Sequence, residues 1–459
     1  MRRAIVFALL PFLALAVLRC GDDEGAVTPE ADAGTIEGSV NPDASVDPSD
    51  ATSETKSEGG TGLSPAFVHY DVNHVLGTGQ SLSVGAVGGP VLSTTQPYAN
   101  LMFSTGVRTS TTNLDASAPL VEGSPINATN TAVETLSSGF ANLVTKMARE
   151  ELLVGQPAGK TSHDLFVSIH GVGGTAYAGL KKGTQPFTIA MAQVTAAKSL
   201  AQAAGKSYVV RAVTNVHGES DHIANNAGYE ANLVEWQKDY ETDVKAITGQ
   251  SEPIPMLHSQ FSSFSKFGQT TSAIVSMQTA ASVKSNGKIV LVGAKYHLPY
   301  VADGVHLTNE GYRQMGEEYA KVYRRVVLEG RPWEPLRPLS ITRAGAVITV
   351  KLAVPVPPLV LDKTLVSDPG NYGFAYVDAG PTPAITNVEV TASDTVTITL
   401  ASAPTAANGR VRYAFTGTAG ANAGPTTGPR GNLRDSDATP SRHGYKLFNW
   451  CIHFDEPVQ

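Results

Sequence analysis

The sequence is poor in cysteine and has no apolar run of membrane-spanning length near its start. Its 459 residues include two cysteines, Cys20 and Cys451. An apolar run of fifteen residues, 4–18, lies just before Cys20, whereas a membrane-spanning helix needs about 20 apolar residues. With one possible partner, located in this leader, Cys451 belongs to no disulfide framework. Cys451 lies in the stretch LFNWCIHF and is expected to be a small buried side chain.

Most of the chain also lacks net charge. The formal charge is −7, and residues 21–60 alone hold eleven acidic residues and one base, Lys56. The remainder beyond residue 60 is close to neutral. A neutral folded part has no positive footprint for a phosphate backbone, so nucleic acid is not expected as a partner.

The first residues have the composition of an export signal. Arg2 and Arg3 precede the apolar run, and the pattern over 1–20 resembles a bacterial lipoprotein signal that ends at Cys20. We expect lipidation of Cys20 and a location at the cell surface or outer membrane of a Gram-negative bacterium. Ordinary secretion and a retained anchor are the alternatives. Residues 21–63 have no aromatic residue and many acidic and small ones, which predicts a disordered acidic linker.

Two kinds of folded sequence follow. Over 64–332, apolar strand-like runs alternate with helical patterns, which predicts an α/β domain with a parallel sheet covered on both faces. The strand-like runs are 72–77, 164–171, 207–218, 253–259 and 288–294; the helical stretches are 130–152, 186–205 and 226–247. Over 333–459, short alternating runs separated by turn residues predict a smaller β-sandwich domain.

Polar and glycine-rich segments follow the predicted strands. GTGQSLSVG contains Ser81, HGVGGT contains Gly173, HGESDH begins at His217, and DGVHLTNEGY contains Asp303 and His306. Ligands of such sheets bind beyond the carboxyl ends of the strands, so these segments are expected to meet at one edge.

The residue types at that edge suit acyl transfer. A serine hydroxyl becomes a nucleophile when a base takes its proton, and His306, oriented by Asp303, is suited to that task. Backbone N–H groups of Ser81 and Gly173 are candidate donors to an oxyanion. Other readings are an ordinary loop serine at Ser81, a metal site in HGESDH and a phosphate loop at GVGGT, although neither H-E-x-x-H nor a P-loop lysine is present.

The four segments, in this order, resemble the blocks of the SGNH or GDSL hydrolase superfamily. Within this superfamily, the segments are similar to those of the carbohydrate O-acetylesterase branch, which resembles sialate O-acetylesterase and acetylxylan esterase. The resemblance implies a three-layer α/β/α fold, no metal and no cofactor, with Ser81 as nucleophile and Asp303 and His306 as acid and base. It implies oxyanion contacts from Ser81 and Gly173. His217 stands where this branch has a glutamine, and is expected to be the third oxyanion donor.

The expected function is that of a serine esterase which removes acetyl or other short acyl groups from a carbohydrate through an acyl-enzyme. Its partners would be the acetylated carbohydrate and, through the lipid anchor, a membrane. An inactive surface glycan-binding protein and a sugar acyltransferase are the alternatives. Glu219 and Asp221 are expected to support their turn by hydrogen bonds. In the tail, the aromatic residues Phe448, Trp450 and Phe454 are expected to belong to a buried β-core, and a sugar-binding platform is the alternative.

Overall fold

The computed structural model describes residues 62–123 and 132–459. The predicted export signal with Cys20, and all but the last two residues of the predicted linker, lie outside the described residues. No helix within the described ranges has the length and apolarity needed to cross a membrane.

A mixed sheet of seven strands organises the first part of the described chain. Its spatial order is β3-β2-β4-β1-β5-β6-β7, and every neighbouring pair is parallel except β2 and β3. The strands are β1 (Val72–Gly79), β2 (Leu101–Phe103), β3 (Ser117–Pro119), β4 (Leu165–Ile169), β5 (Tyr208–Val216), β6 (Met256–His258) and β7 (Ile289–Leu291). The predicted strand runs correspond to β1 and β4–β7, whereas β2 and β3 were not predicted.

The helices pack against this sheet in two groups. They are α1 (Leu136–Met147), α2 (Gln185–Ala203), α3 (Glu219–Ile223), α4 (Tyr229–Thr248), α5 (Ala273–Lys284) and α6 (Asn309–Tyr323). Val75 of β1 shares a core with α1 and α6, while the next residue, Leu76, shares a core with α2, α4 and α5. Successive strand residues face opposite sides, so this alternation supports the three-layer arrangement, which remains a prediction.

Helix α6 is fixed at its start and along its length. The Thr308 side chain accepts a hydrogen bond from the Gly311 N–H and caps the helix. Two glycines let α6 approach α1 closely: a Cβ at Gly316 would lie 2.2 Å from the Leu136 carbonyl oxygen, and one at Gly139 would lie 2.3 Å from that of Arg313. The turn that precedes α6 is therefore attached to a helix whose position is fixed by close packing against α1.

The rest of the chain forms antiparallel sheets. A four-stranded sheet has the order β12-β13-β9-β8, a three-stranded sheet has the order β11-β14-β16, and β10 pairs with β15. The strands are β8 (Arg337–Ala344), β9 (Val347–Ala353), β10 (Val360–Leu361), β11 (Phe374–Val377), β12 (Ile385–Ala392), β13 (Thr395–Leu400), β14 (Arg410–Tyr413), β15 (Leu433–Arg434) and β16 (Phe454–Pro457). The fold is thus mixed α/β followed by antiparallel β-structure.

This C-terminal segment is joined to the α/β part by buried polar contacts. The Gln260 side chain donates to the His453 carbonyl oxygen at 3.0 Å and accepts from the His453 N–H at 2.7 Å. The buried Lys321 ammonium donates to Asp437 at 2.7 Å. Buried groups with such partners hold two parts of a chain in one relative position. The domain boundary between residues 332 and 333 stays a prediction.

Two expectations about the C-terminal segment are confirmed. Cys451 is a free thiol and is fully buried. Trp450 and Phe454 are 3% exposed, so they belong to a buried core, and the Phe448 ring is covered by the Arg434 guanidinium at 3.7 Å. These aromatic residues do not form an open platform.

Candidate active site

Ser81 lies in a tight turn directly after β1. Gly79, at the end of β1, has φ +122°, and a Cβ there would be 2.2 Å from the Val216 carbonyl oxygen of β5. Only glycine therefore allows β1 and β5 to end side by side. A four-residue 3₁₀ turn, Ser81–Val84, follows, and the Gln80 carbonyl oxygen accepts a hydrogen bond from Ser83 Oγ at 2.7 Å. This geometry fixes the backbone at Ser81 and leaves its side chain partly exposed.

Asp303 and His306 lie on a turn just before α6. One carboxylate oxygen of Asp303, Oδ1, accepts from the backbone N–H groups of Val305 (2.8 Å) and His306 (2.9 Å). The other, Oδ2, is 2.7 Å from His306 Nδ1, and His306 Nε2 is 2.8 Å from Ser81 Oγ. Because a carboxylate only accepts hydrogen bonds, the ring proton belongs on Nδ1, and Nε2 is left to accept the hydroxyl proton of Ser81.

The surroundings keep Asp303 ionised. Partial burial raises the pKa of Asp303, but hydrogen bonds from the His306 backbone, the His306 ring and the Val305 backbone outweigh it, so the pKa lies below its ordinary value. Asp303 is therefore an anion at neutral pH and holds the imidazole in the orientation that suits proton transfer from Ser81.

Gly173 lies beside Ser81. A Cβ at Gly173 would be 3.8 Å from Ser81 Cβ, and the preceding Val172 N–H donates to the Gly79 carbonyl oxygen at 3.0 Å. Within the described residues, neither the Ser81 N–H nor the Gly173 N–H has a hydrogen-bond acceptor. Two free N–H groups next to a serine hydroxyl can receive a developing negative charge on a substrate oxygen.

His217 has partners inside the protein on both ring nitrogens. Its Nδ1 is 2.7 Å from the Tyr229 hydroxyl, and its Nε2 is 3.0 Å from the carbonyl oxygen of Thr175. Burial lowers the pKa of His217, although the nearby Asp221 carboxylate opposes the shift. The ring is therefore neutral, donates through Nε2 to Thr175 and accepts through Nδ1 from Tyr229. An oxyanion contact would require Nε2 to leave Thr175, so this role stays a prediction.

The acidic residues after His217 differ from one another. Asp221 accepts from the Tyr177 N–H at 2.8 Å and from the Asn226 side chain at 2.5 Å, which confirms its expected support of the turn. Glu219 does not make the expected hydrogen bonds: both its oxygens are buried without a partner among the described residues. Its nearest cation is the Lys295 ammonium, 3.9 Å away and equally buried.

The sequence gives no sign that Lys295 is buried beside the site, because it follows β7 in an ordinary VGAKYH stretch. Burial lowers the pKa of Lys295, and the charge of Glu219 opposes that shift. The described residues contain no group of three or more histidine, cysteine, aspartate or glutamate side chains arranged to hold a metal ion. In HGESDH, the terminal His222 instead pairs its Nδ1 with the Ser272 hydroxyl at 3.0 Å.

A protein family model matches the segment of the chain that contains most of the site residues. Residues 140–325 match the family model described as carbohydrate esterase, sialic acid-specific acetylesterase. The matched range includes four of the predicted site residues, Gly173, His217, Asp303 and His306, whereas Ser81 lies before it. A search of curated proteins gave no match.

Three solved structures are similar over large parts of their own chains. A carbohydrate acetylesterase from Xanthomonas citri has 14% identity, covers 83% of this chain and 80% of its own, with a TM-score of 0.48. A protein from Arabidopsis thaliana has 18% identity over 55% of this chain and 97% of its own, with a TM-score of 0.39. A lipase/acylhydrolase from Enterococcus faecalis has 13% identity over 57% of this chain and 100% of its own, with a TM-score of 0.27.

All three TM-scores are below 0.5, so the relationship of this chain to known proteins rests on the family match. The match extends from the middle of α1 to the end of α6 and includes the strands between them and the turn that holds Asp303 and His306. Three of the four segments behind the predicted resemblance lie in this range, and GTGQSLSVG with Ser81 lies before it. Over residues 140–325 the chain is similar to a carbohydrate esterase family, which confirms the predicted resemblance.

Proposed function

We propose that this protein is a serine esterase that hydrolyses acetyl esters on a carbohydrate. The observation that carries the proposal is the row of hydrogen bonds from Asp303 Oδ2 through His306 to Ser81 Oγ, with lengths of 2.7 and 2.8 Å. An acid, a base and a hydroxyl in this order are the parts needed for nucleophilic attack on an ester. The match to a carbohydrate esterase family supports the choice of substrate.

The first half of the reaction forms an acyl-enzyme. His306 Nε2 takes the proton of Ser81 as Oγ attacks the acetyl carbonyl carbon, and the carbonyl oxygen becomes negative. The N–H groups of Ser81 and Gly173 donate to that oxygen, and Asp303 stabilises the imidazolium. The bond between the carbonyl carbon and the sugar oxygen then breaks, and the His306 imidazolium donates its proton to that oxygen, which leaves as the sugar hydroxyl.

The second half releases the acetate. Water donates a proton to His306 Nε2 and attacks the acetyl carbon bound to Ser81. The tetrahedral intermediate collapses, the bond to Ser81 Oγ breaks, and His306 protonates the serine. Every step uses side chains or amide groups of the chain itself, so the proposal calls for no cofactor.

The openness of the site agrees with a large alcohol component. Asp303 is 41% exposed at its side chain, and the residues 172–174 of the Gly173 loop are exposed. An acetyl group attacked by Ser81 would lie beside the exposed Gly173 loop, so the sugar to which it is bound can extend toward solvent. We infer that the enzyme recognises an acyl group projecting from a larger carbohydrate.

Acetate release from p-nitrophenyl acetate and from a panel of acetylated glycans tests the proposal. Ser81→Ala is expected to lose several orders of magnitude in rate. Ser199→Ala is the matched control, since Ser199 is an exposed serine of α2 whose hydroxyl donates to the Thr195 carbonyl oxygen. Absence of hydrolysis by the wild type would favour a glycan-binding protein, and transfer of acetate to an added acceptor sugar would favour an acyltransferase.

We also propose that the protein is exported and anchored by a lipid on Cys20. The basic Arg2 and Arg3, the apolar run 4–18 and the following cysteine support this. Expression in a Gram-negative host with labelled fatty acid should give a labelled protein in the membrane fraction. Cys20→Ser should abolish the label; a labelled Cys20→Ser protein, or an unlabelled secreted wild type, would contradict the lipid anchor.

A further inference from the structure

A loop of the C-terminal segment reaches the turn that carries Asp303 and His306. This loop, residues 416–424, follows β14 and is called the crossing loop below. Its Asn422 side chain donates through Nδ2 to the Ala302 carbonyl oxygen at 3.1 Å. The next residue, Ala423, donates its N–H to the Gly304 carbonyl oxygen at 3.0 Å. The crossing loop is thus bonded on both sides of Asp303.

Asn422 and Gly304 are in direct contact. Gly304 has φ +71°, and a Cβ built on it would lie 2.3 Å from Asn422 Cγ. No other residue type fits at Gly304 while Asn422 keeps its place, because real Cβ atoms do not approach heavy atoms so closely. The side chain of Asn422 therefore fills the space against the middle of the Asp303–His306 turn.

The other side of the crossing loop is bonded to a second wall. Lys266 Nζ donates to Asn422 Oδ1 at 2.7 Å, and Ser265 Oγ donates to the Ala421 carbonyl oxygen at 2.8 Å. The Gly420 N–H donates to the Ser265 carbonyl oxygen at 2.7 Å. Ser265 is buried in the 3₁₀ turn Phe264–Phe267, so Asn422 links the Asp303–His306 turn to a packed part of the α/β structure.

The turn needs such support because much of it faces solvent. The side chains of Asp303 and His306 are 41% and 20% exposed. Exposed turns are the segments that open most easily, whereas a base must stay within a few tenths of an ångström of its proton donor. An outside hydrogen bond to Ala302 restrains the turn where its own bonds do not.

We propose that Asn422 is a positioning residue for the Asp303–His306 pair, so that the C-terminal segment completes the active site. This inference rests on the esterase function proposed above. An amide is required at residue 422, since Nδ2 donates to Ala302 while Oδ1 accepts from Lys266. Aspartate has the same shape but offers no donor, and alanine offers neither group.

Kinetics on p-nitrophenyl acetate test this role. Asn422→Ala is expected to lower kcat about 10²-fold, the cost of misplacing a catalytic group by about 1 Å, and to change KM little. Asn422→Asp should cause a similar loss although it is isosteric, and it guards against misfolding of the alanine variant. Asn408→Ala is the matched control, because Asn408 is an exposed asparagine of the same C-terminal segment. Wild-type kcat in both Asn422 variants would overturn the proposal.

A proton resonance provides a readout independent of turnover. The His306 Nδ1 proton in its bond to Asp303 should give a far-downfield NMR signal that His306→Ala removes. Asn422→Ala should broaden or shift this signal at an unchanged melting temperature, and Asn408→Ala should not. An unaltered signal would overturn the positioning role even if the protein proved not to be an esterase, whereas failure of the esterase proposal would appear as Ser81-independent turnover.

A double-mutant cycle with Gly304→Ala tests the contact itself. Gly304→Ala alone should reduce kcat strongly, since its Cβ overlaps Asn422. Adding Asn422→Ala removes the overlapping atoms, so the second change should cost much less in the Gly304→Ala background than in the wild type, or even restore activity. Strictly additive losses would show that the two residues do not act through this contact.

Discussion

Replacing Asp303 with asparagine separates the orientation of His306 from its basicity. Asparagine keeps one oxygen, so the hydrogen bonds from the Val305 and His306 N–H groups can persist and the turn can keep its shape. Its amide nitrogen, however, replaces the oxygen that faces His306 Nδ1. Two donors cannot bond to each other, so the ring proton is driven to Nε2, where it prevents acceptance of the Ser81 proton.

The size of the loss follows from two contributions. A carboxylate about 4 Å from an imidazolium contributes about 1 kcal/mol in bulk water and about 4 kcal/mol near a protein surface. Asp303 is 41% exposed, so screening favours the lower end of that range, or about 5- to 100-fold in rate. The tautomer change adds to this, with about 10⁴-fold as the upper limit set by buried triads. His306→Ala removes the base and should cost on the order of 10⁶-fold.

Turnover of one acetyl ester by the three proteins measures this order. We expect the wild type to be fastest, Asp303→Asn intermediate and His306→Ala slowest, with matching circular dichroism spectra as the control for folding. If His306→Ala proves the milder change in folded protein, another histidine must be the base, and His217 is the first to examine.

Three further predictions concern stability and metal. Gly79→Ala should lower the free energy of unfolding by about 2–5 kcal/mol in a urea titration, since its Cβ would overlap the Val216 carbonyl oxygen at 2.2 Å. Gly155→Ala, also at positive φ but with no atom within 4 Å, should cost only the backbone strain; equal losses would refute the overlap. Burial, followed by the charge of Glu134, raises the pKa of Glu122. Its contribution to stability is therefore complete below about pH 4.5 and declines as the pH rises from there to its folded pKa. Glu122→Gln should remove this decline, so its stability relative to the wild type should rise between pH 5 and pH 8. Parallel curves of stability against pH for the two proteins would contradict the raised pKa. Treatment with a chelator should leave hydrolysis intact, whereas a loss restored by zinc would favour a metal mechanism.

The sequence allowed the meeting of distant residues at one sheet edge to be predicted. Parallel strands place their carboxyl ends together, so Ser81 after β1 and Gly173 after β4 had to be neighbours once the strands were identified. The spacing of three between Asp303 and His306 needs only a turn to bring the side chains into contact, and the capping Thr308 marks where that turn ends. These inferences depend on local pattern and on a general rule of topology.

Other features depend on contacts that no local pattern records. Asn422 lies 120 residues from Ala302, in a stretch of glycine, alanine and threonine that has the composition of an ordinary loop. Only the packing of the C-terminal segment brings it to the turn that holds Asp303 and His306. The partners of His217 were equally hidden, since a buried ring with two polar neighbours has the same sequence signature as an exposed donor. Strands β2 and β3 were missed because each has three residues and neither lies in a longer apolar run, whereas the equally short β6 and β7 lie in the runs 253–259 and 288–294.

Covalent trapping of the nucleophile tests the central claim most directly. The wild type treated with a fluorophosphonate should gain the mass of one adduct, and peptide mapping should place it on Ser81, with loss of hydrolysis in proportion to labelling. Ser199→Ala, at the exposed serine of α2, should be labelled like the wild type, and Ser81→Ala should remain unlabelled. An adduct on another residue, or hydrolysis that survives complete labelling of Ser81, would contradict the proposed mechanism.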